Sequence, residues 1–116
     1  MKAMKPDKSL VSGSTTLLIL QLLSEKEMYG YEMIETLRER SQNVFELKAG
    51  TLYPLLHGME EKGLLESYER DAGGKTRKYY RITKAGLRQF GGKKEEWEAY
   101  AAAVKRVLGG PAYAGS

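Results

Sequence analysis

The sequence predicts a mainly α fold with one small β-hairpin (α+β). Three observations carry that prediction. Apolar residues recur at helical spacing in three separate stretches before Gly63. Two short strand-like runs then flank a glycine pair, Gly73-Gly74. Beyond them an apolar seam at alternating three- and four-residue steps fills the C-terminal quarter.

The first helix is expected from about Ser14 to Ser24. Leu17, Leu18, Ile19, Leu20, Leu22 and Leu23 make it apolar nearly all round, so it should lie centrally. Ser14 can cap its start, and Glu25-Lys26-Glu27 follows as a polar turn. The second helix is expected from about Tyr29 to Arg40. Gly30, Met33, Ile34 and Leu37 share one stripe, and Glu32, Glu35, Arg38 and Glu39 lie outside it. Ser41-Gln42-Asn43 reads as a turn.

The third helix should cover roughly Ala49 to Lys62, burying Leu52, Leu55, Leu56 and Met59. A turn of about 100° per residue puts Tyr53, Pro54, His57 and Glu61 on the other side. Pro54 lacks a backbone donor, which predicts a bend or a position still in the first turns. Gly63 is placed to end the helix.

Leu65 to Arg70 and Arg77 to Ile82 are the expected strands, with Asp71 to Thr76 as a flexible loop between them. Two strands alone are marginal, so the hairpin must lean on the helices. Tyr79 and Tyr80 alternate across a strand, which sends one of them into the core. Thr83 can cap a last helix over Lys84 to Leu108. Its seam is Leu87, Phe90, Lys94, Trp97, Ala101, Val104 and Leu108. Gly91-Gly92 weakens that helix by roughly 1 kcal/mol per glycine, which predicts a kink or break. Residues 109–116 hold three glycines and a proline and read as a disordered tail. The expected organisation is a unit over 1–83, a C-terminal helix over 84–108 and the tail.

Composition narrows the chemistry. At 116 residues, 41% hydrophobic and 29% charged, the chain has the balance of one globular domain. The absence of cysteine excludes a disulfide scaffold, a thiol nucleophile and a Cys-ligated zinc site. There is one histidine, no metal-ligand spacing and no phosphate-binding loop, so no enzyme, metal site or cofactor is expected. The adjacent pairs Glu60-Glu61 and Glu95-Glu96 lie on helices, where neighbours face different ways. The apolar run Leu17 to Leu23 is seven residues long and contains Gln21, too short for a membrane span or a typical secretory core. A soluble protein of the cytoplasm is expected.

The net charge of +4 is modest, but it is unevenly spread. Between Glu25 and Lys62 there are five basic and eight acidic residues, and between Leu65 and Phe90 seven basic and three acidic. The basic excess centres on Lys75-Thr76-Arg77-Lys78-Tyr79-Tyr80-Arg81. Such a run is either a solvated face or a polyanion site.

The order of three helices, a hairpin and a helix is that of a winged helix-turn-helix. In that arrangement the third helix buries one face and offers the other to the DNA major groove. Its outer side carries hydrogen-bonding groups on Thr51, Tyr53 and His57, and Gly50 and Thr51 lie near its start, where free N–H groups favour a phosphate. Lys75, Arg77 and Lys78 of the hairpin suit phosphate contact or a narrow minor groove. Tyr53 can equally be a half-buried aromatic, and His57 an ordinary surface residue.

Four blocks together resemble the signature of PadR-like transcriptional regulators. They are Met28-Tyr29-Gly30-Tyr31-Glu32, Gly50-Thr51-Leu52-Tyr53-Pro54-Leu55-Leu56, Met59-Glu60-Glu61-Lys62-Gly63-Leu64, and Arg77-Lys78-Tyr79-Tyr80-Arg81-Ile82-Thr83-Lys84-Ala85-Gly86. The resemblance runs in register from about Thr16 to Gly86. It implies a regulator, usually a repressor, that acts as a homodimer on a partly palindromic operator. It implies Tyr29, Lys48, Gly50, Thr51 and Tyr53 at the DNA surface, and the wing tip, Lys75-Thr76-Arg77-Lys78, along the backbone. It also implies dimerisation through the C-terminal helix, with a single such helix marking the compact branch of the family. Gly91-Gly92 departs from the pattern.

The end helix offers Leu87, Phe90, Trp97, Tyr100, Ala101, Val104 and Leu108 to a partner copy or to the chain's own first helix. Trp97, the only tryptophan, belongs to the residue type that dominates interfaces. Compact relatives often take flat aromatic compounds between paired subunits, which makes Trp97 a candidate to stack on a small aromatic effector. The rival reading is a winged-helix protein-interaction module that never touches nucleic acid.

Overall fold

A computed structural model of the chain describes residues 8–113, and side chains over 14–110. The order is α1 (Lys8–Glu25), β1 (Met28–Tyr29), α2 (Gly30–Arg40), α3 (Ala49–Glu61), β2 (Leu65–Ala72), β3 (Lys75–Ile82) and α4 (Lys84–Tyr113). It is mainly α with a small antiparallel sheet of strand order β1-β3-β2.

α1 is the centre of the core because its apolar residues surround the helix. Ile19 and Leu20 are fully buried, and Leu22 and Leu23 nearly so. Against them pack Met33 and Leu37 of α2, Leu52, Leu56 and Met59 of α3, Leu65 of β2 and Tyr80 of β3. Each buried aliphatic side chain of this kind stabilises the fold by about 1.5–3 kcal/mol. The helix starts before Ser14, so Ser14 is not its cap; Gly13 alone does not stop the helical run.

α3 runs through Pro54, as a helix whose inner stripe is held can do. The bond lost is the one to the carbonyl of Gly50, an exposed residue. Gly63 ends it at φ 77, with its N–H on the Glu60 carbonyl and the Leu64 N–H on that of Met59. That pairing satisfies the last carbonyls of the helix. Thr83 caps α4: its Oγ1 accepts from the Gly86 N–H at 3.0 Å and donates to the Gly63 carbonyl at 2.7 Å.

Three further expectations need correction. The strand β1 was not anticipated; it pairs Met28 with Tyr80 and Tyr29 with Tyr79, so the sheet has three strands and α2 begins at Gly30. The hairpin ladder continues to Ala72 opposite Lys75, leaving a two-residue turn rather than a six-residue loop. Gly73 and Gly74 at φ 60 and φ 81 supply the doubly left-handed turn that suits the strand twist. Of the two tyrosines one, Tyr80, enters the core as expected; Tyr79 is buried as well, on the opposite face of the sheet, under Tyr29, Tyr68 and Arg70. Finally, α4 does not break at Gly91-Gly92; the departure from helical geometry is at Gly110, φ 67. α4 packs along α1, and that packing outweighs the glycine penalty. The unbroken helix thus ends within two residues of the expected Leu108, a short turn to Tyr113 follows the kink, and residues 114–116 of the expected tail lie outside the described residues.

Candidate nucleic-acid interface

The outward side of α3 carries Gly50, Thr51, Pro54, His57 and Glu61, all exposed. Lys48 occupies the N-cap in extended conformation and is exposed, so the positive end of the helix dipole and a lysine share one edge. His57 Nε2 lies 3.8 Å from a Glu61 carboxylate oxygen, one turn on. Tyr53 leans away from this row and lies across the start of α2. A Cβ built on Gly30 would stand 2.2 Å from its hydroxyl oxygen. Tyr53 is therefore a half-packed aromatic that remains 38% exposed. Burial, followed by the neighbouring Tyr31 and Tyr80, pushes its hydroxyl pKa up.

A hollow of about 410 Å³ opens where α2 begins and the wing rises. Tyr29, Gly30, Tyr31, Tyr53, Lys75, Arg77 and Lys78 line it. The fold thus gathers Tyr29, Tyr53 and the three wing cations from three elements, β1, α3 and β3. Lys48, Gly50, Thr51 and His57 lie on α3 outside that lining. Thr76 is exposed, and its hydroxyl donates to Asp71 at 2.6 Å across the ladder. Buried Gly30 and Tyr31, the latter 61% exposed, are the lining residues that the site reading missed. The Tyr29-Gly30-Tyr31 triplet at a helix start was the available signal.

The Arg77 guanidinium lies 4.4 Å from the Tyr29 ring centroid, and Lys78 Nζ lies 5.6 Å from that of Tyr80. On the outer face of the sheet Arg70 covers Tyr79 at 4.4 Å and Arg81 covers Tyr68 at 5.2 Å. The Tyr68 hydroxyl donates to the Glu27 carboxylate, which raises its pKa. A second hollow, of about 340 Å³, is lined by Lys26, Glu27, Glu32, Arg70 and Tyr79. There Lys26 and Glu32 pair at 2.6 Å, an arrangement that cancels charge rather than concentrating it.

On α4, Leu87, Trp97, Tyr100, Val104 and Leu108 are exposed, Trp97 by half. Val107, outside the expected seam, is more exposed than most of them, at 79%. Phe90 is half-buried against the core, and Ala101 is also half-buried. The helix therefore packs inward on α1 and keeps an apolar side outward. Among the described residues no helix is long and apolar enough to cross a membrane, and no group of His, Asp and Glu could hold a metal ion.

Comparison with known proteins is consistent with this architecture. The profile described as the transcriptional regulator PadR-like family matches residues 19–91. The "Transcriptional regulator Rv3488" of Mycobacterium tuberculosis is 34% identical over 95 residues, covering 82% of this chain and 83% of that protein. A transcriptional regulator from Clostridium thermocellum superposes with a TM-score of 0.79 at 33% identity, covering 84% of this chain and 96% of the other. A PadR-like regulator from Bacillus cereus gives 0.80 at 32% identity, covering 89% and 99%. With its winged helix and these relatives, the chain belongs to the PadR-like family of transcriptional regulators.

Proposed function

We propose that this regulator binds duplex DNA sequence-specifically as a homodimer in the cytoplasm and represses by occupying a promoter. The observation that carries the reading is the hollow in which Tyr29, Tyr53, Lys75, Arg77 and Lys78 meet, beside the open row of α3. In this reading residues 1–83 read the operator and the helix over 84–108 pairs two copies. Thr51 and His57 meet base edges, and Lys48, Lys75, Thr76, Arg77 and Lys78 meet the backbone. Leu87, Trp97, Tyr100, Val104 and Leu108 form the seam between copies, with Phe90 and Ala101 behind it. Trp97, half-exposed, is proposed to stack on a planar aromatic effector held between the copies. Trp97 fluorescence that no planar aromatic quenches would remove that last element.

Selection from a random duplex pool tests the core of the proposal. Enrichment of a two-fold symmetric site is expected, and a pool that stays random overturns it. Affinity for the selected site should fall steeply with salt, because neutralised phosphates release counterions. Replacing Arg77 and Lys78 together by glutamine should flatten the slope of log K against log salt by about 2, roughly 0.9 for each lost contact. An unchanged slope would remove these two residues from the interface. A wing without cations would have favoured the protein-interaction alternative; no specific observation favours it here.

A further inference from the structure

We propose that Tyr29 is a positioning residue, whose ring holds the Arg77 guanidinium and so fixes the cationic edge of the wing against the starts of α2 and α3. The inference rests on the DNA-binding reading above.

Tyr29 is the last residue of β1 and also the N-cap of α2, at φ −92 and ψ 166. Its side chain makes no capping hydrogen bond. The ring instead stands edge-on to Tyr79, with centroids 5.4 Å apart and planes at 69°. Tyr29 is thus bonded to the sheet by its backbone, continuous with α2 through the chain, and in contact with the wing through its ring.

Arg77 needs such a place. It lies directly opposite Arg70 in the β2–β3 ladder, a juxtaposition of like charges that destabilises a sheet. The two guanidinium groups rest over different rings, Arg70 over Tyr79 and Arg77 over Tyr29. Among the described residues Arg77 has no carboxylate partner. It is half-buried, whereas Lys75 and Lys78 beside it are exposed. A guanidinium lying on a ring keeps its edge N–H groups free to donate, so the ring fixes the cation without consuming its donors. Placing Arg77 in advance removes part of the ordering cost that a free side chain meets on binding.

A double-mutant cycle on the full chain tests this, with dissociation constants measured on the selected operator and on an unrelated duplex. Tyr29→Phe keeps the ring and is expected to bind more tightly than Tyr29→Leu. Tyr29→Leu is expected to bind about five- to tenfold more weakly, the scale of a lost cation–π contact. The double variant Tyr29→Leu/Arg77→Gln is expected to be no weaker than Arg77→Gln alone, because the tyrosine acts through the arginine. Arg77→Lys leaves the Tyr29 packing in place and keeps the charge, so it does not depend on Tyr29→Leu folding; a loss of about threefold or more is expected. Losses that multiply in the double variant overturn the proposal. So does Arg77→Lys binding as wild type, or Tyr29→Phe as weak as Tyr29→Leu, which would make the hydroxyl a direct DNA contact. A wild-type protein that prefers no sequence overturns the DNA-binding reading and this inference together, whereas a selective wild type with multiplying losses overturns this inference alone.

Discussion

Gly86→Ala should lower the melting temperature, although alanine is the better helix former. Gly86 lies in the first turn of α4, where the helix comes up against Leu64, in the link between α3 and β2. A Cβ there would stand 2.3 Å from the Leu64 carbonyl oxygen and 2.7 Å from Ile82 Cγ1. The carbonyl cannot retreat, because it accepts from the Thr83 N–H at 3.0 Å and from Thr83 Oγ1 at 3.1 Å. Leu64 is itself held by its N–H on the Met59 carbonyl. Overpacking of this kind costs about 1–3 kcal/mol. Displacing the Thr83 cap, which receives the Gly86 N–H, adds about 1 kcal/mol. Helix propensity returns about 1 kcal/mol. The net loss of about 1–3 kcal/mol corresponds to a fall of roughly 4–12 °C for a domain of this size. Gly91→Ala and Gly92→Ala are the internal controls, since a Cβ at either meets nothing within 4 Å. Each should stabilise the fold by up to about 1 kcal/mol and so raise the melting point. Thermal melts by circular dichroism at one fixed protein concentration decide the matter. A Gly86→Ala protein melting at or above wild type would refute the close approach of α4 to Leu64.

Two further outcomes are expected. Trp97→Ala should weaken self-association by about 2 kcal/mol or more, roughly thirtyfold; sedimentation equilibrium showing an unchanged dimer would remove Trp97 from the seam. Glu25 has its carboxyl held down at about 2, first by hydrogen bonds from Arg40, then by one from Gln21. A depressed folded value means that the pairing supports the fold above the ordinary value of 4.5 and is lost as pH falls through about 2. Carbon-detected titration should therefore place the Glu25 midpoint near 2 in wild type and clearly higher, towards 4.5, in Arg40→Gln, where the Gln21 hydrogen bond remains. Equal midpoints would dismiss the pair, and because both side chains are exposed, high salt should shrink the difference.

The helices were legible because α1 is apolar nearly all round, because the others carry a one-sided apolar stripe, as with Leu52, Leu56 and Met59, and because Gly63 and Thr83 are chemically fit to end one helix and start another. β1 was not legible, since two residues are too few to show a period. The hairpin looked shorter than it is because Asp71 and Thr76 are turn-formers by type. Here they face each other across the ladder and hydrogen-bond. The burial of outward-facing Tyr79 depends on Tyr29, fifty residues earlier, and on an arginine spread over its ring. No local pattern encodes such a contact. The cations of the wing stood out in the charge count, whereas Tyr31 was hidden next to Glu32 on what reads as a polar helix face. The same distance effect keeps α4 whole. Its glycines weaken it locally, but its contact with α1 joins opposite ends of the sequence.

The sheet order explains why the wing cations are not equivalent. β3 is the central strand, paired with β2 along its whole length and with β1 only at Tyr79 and Tyr80. The sheet is therefore three strands wide at its root and a two-stranded ribbon beyond, and an isolated ribbon is marginal in water. Arg77 is the first cation outside the root whose side chain shares the Tyr79 face, and it reaches back to a ring of β1. Lys75 sits next to the glycine turn with no aromatic support. Order thus falls from root to tip along the same charged strand. In the proposed complex the held arginine sets the distance between wing and α3, and the loose lysine adapts to a backbone whose groove width varies with sequence. The charge count assigns both residues the same role, and only the pairing register separates them.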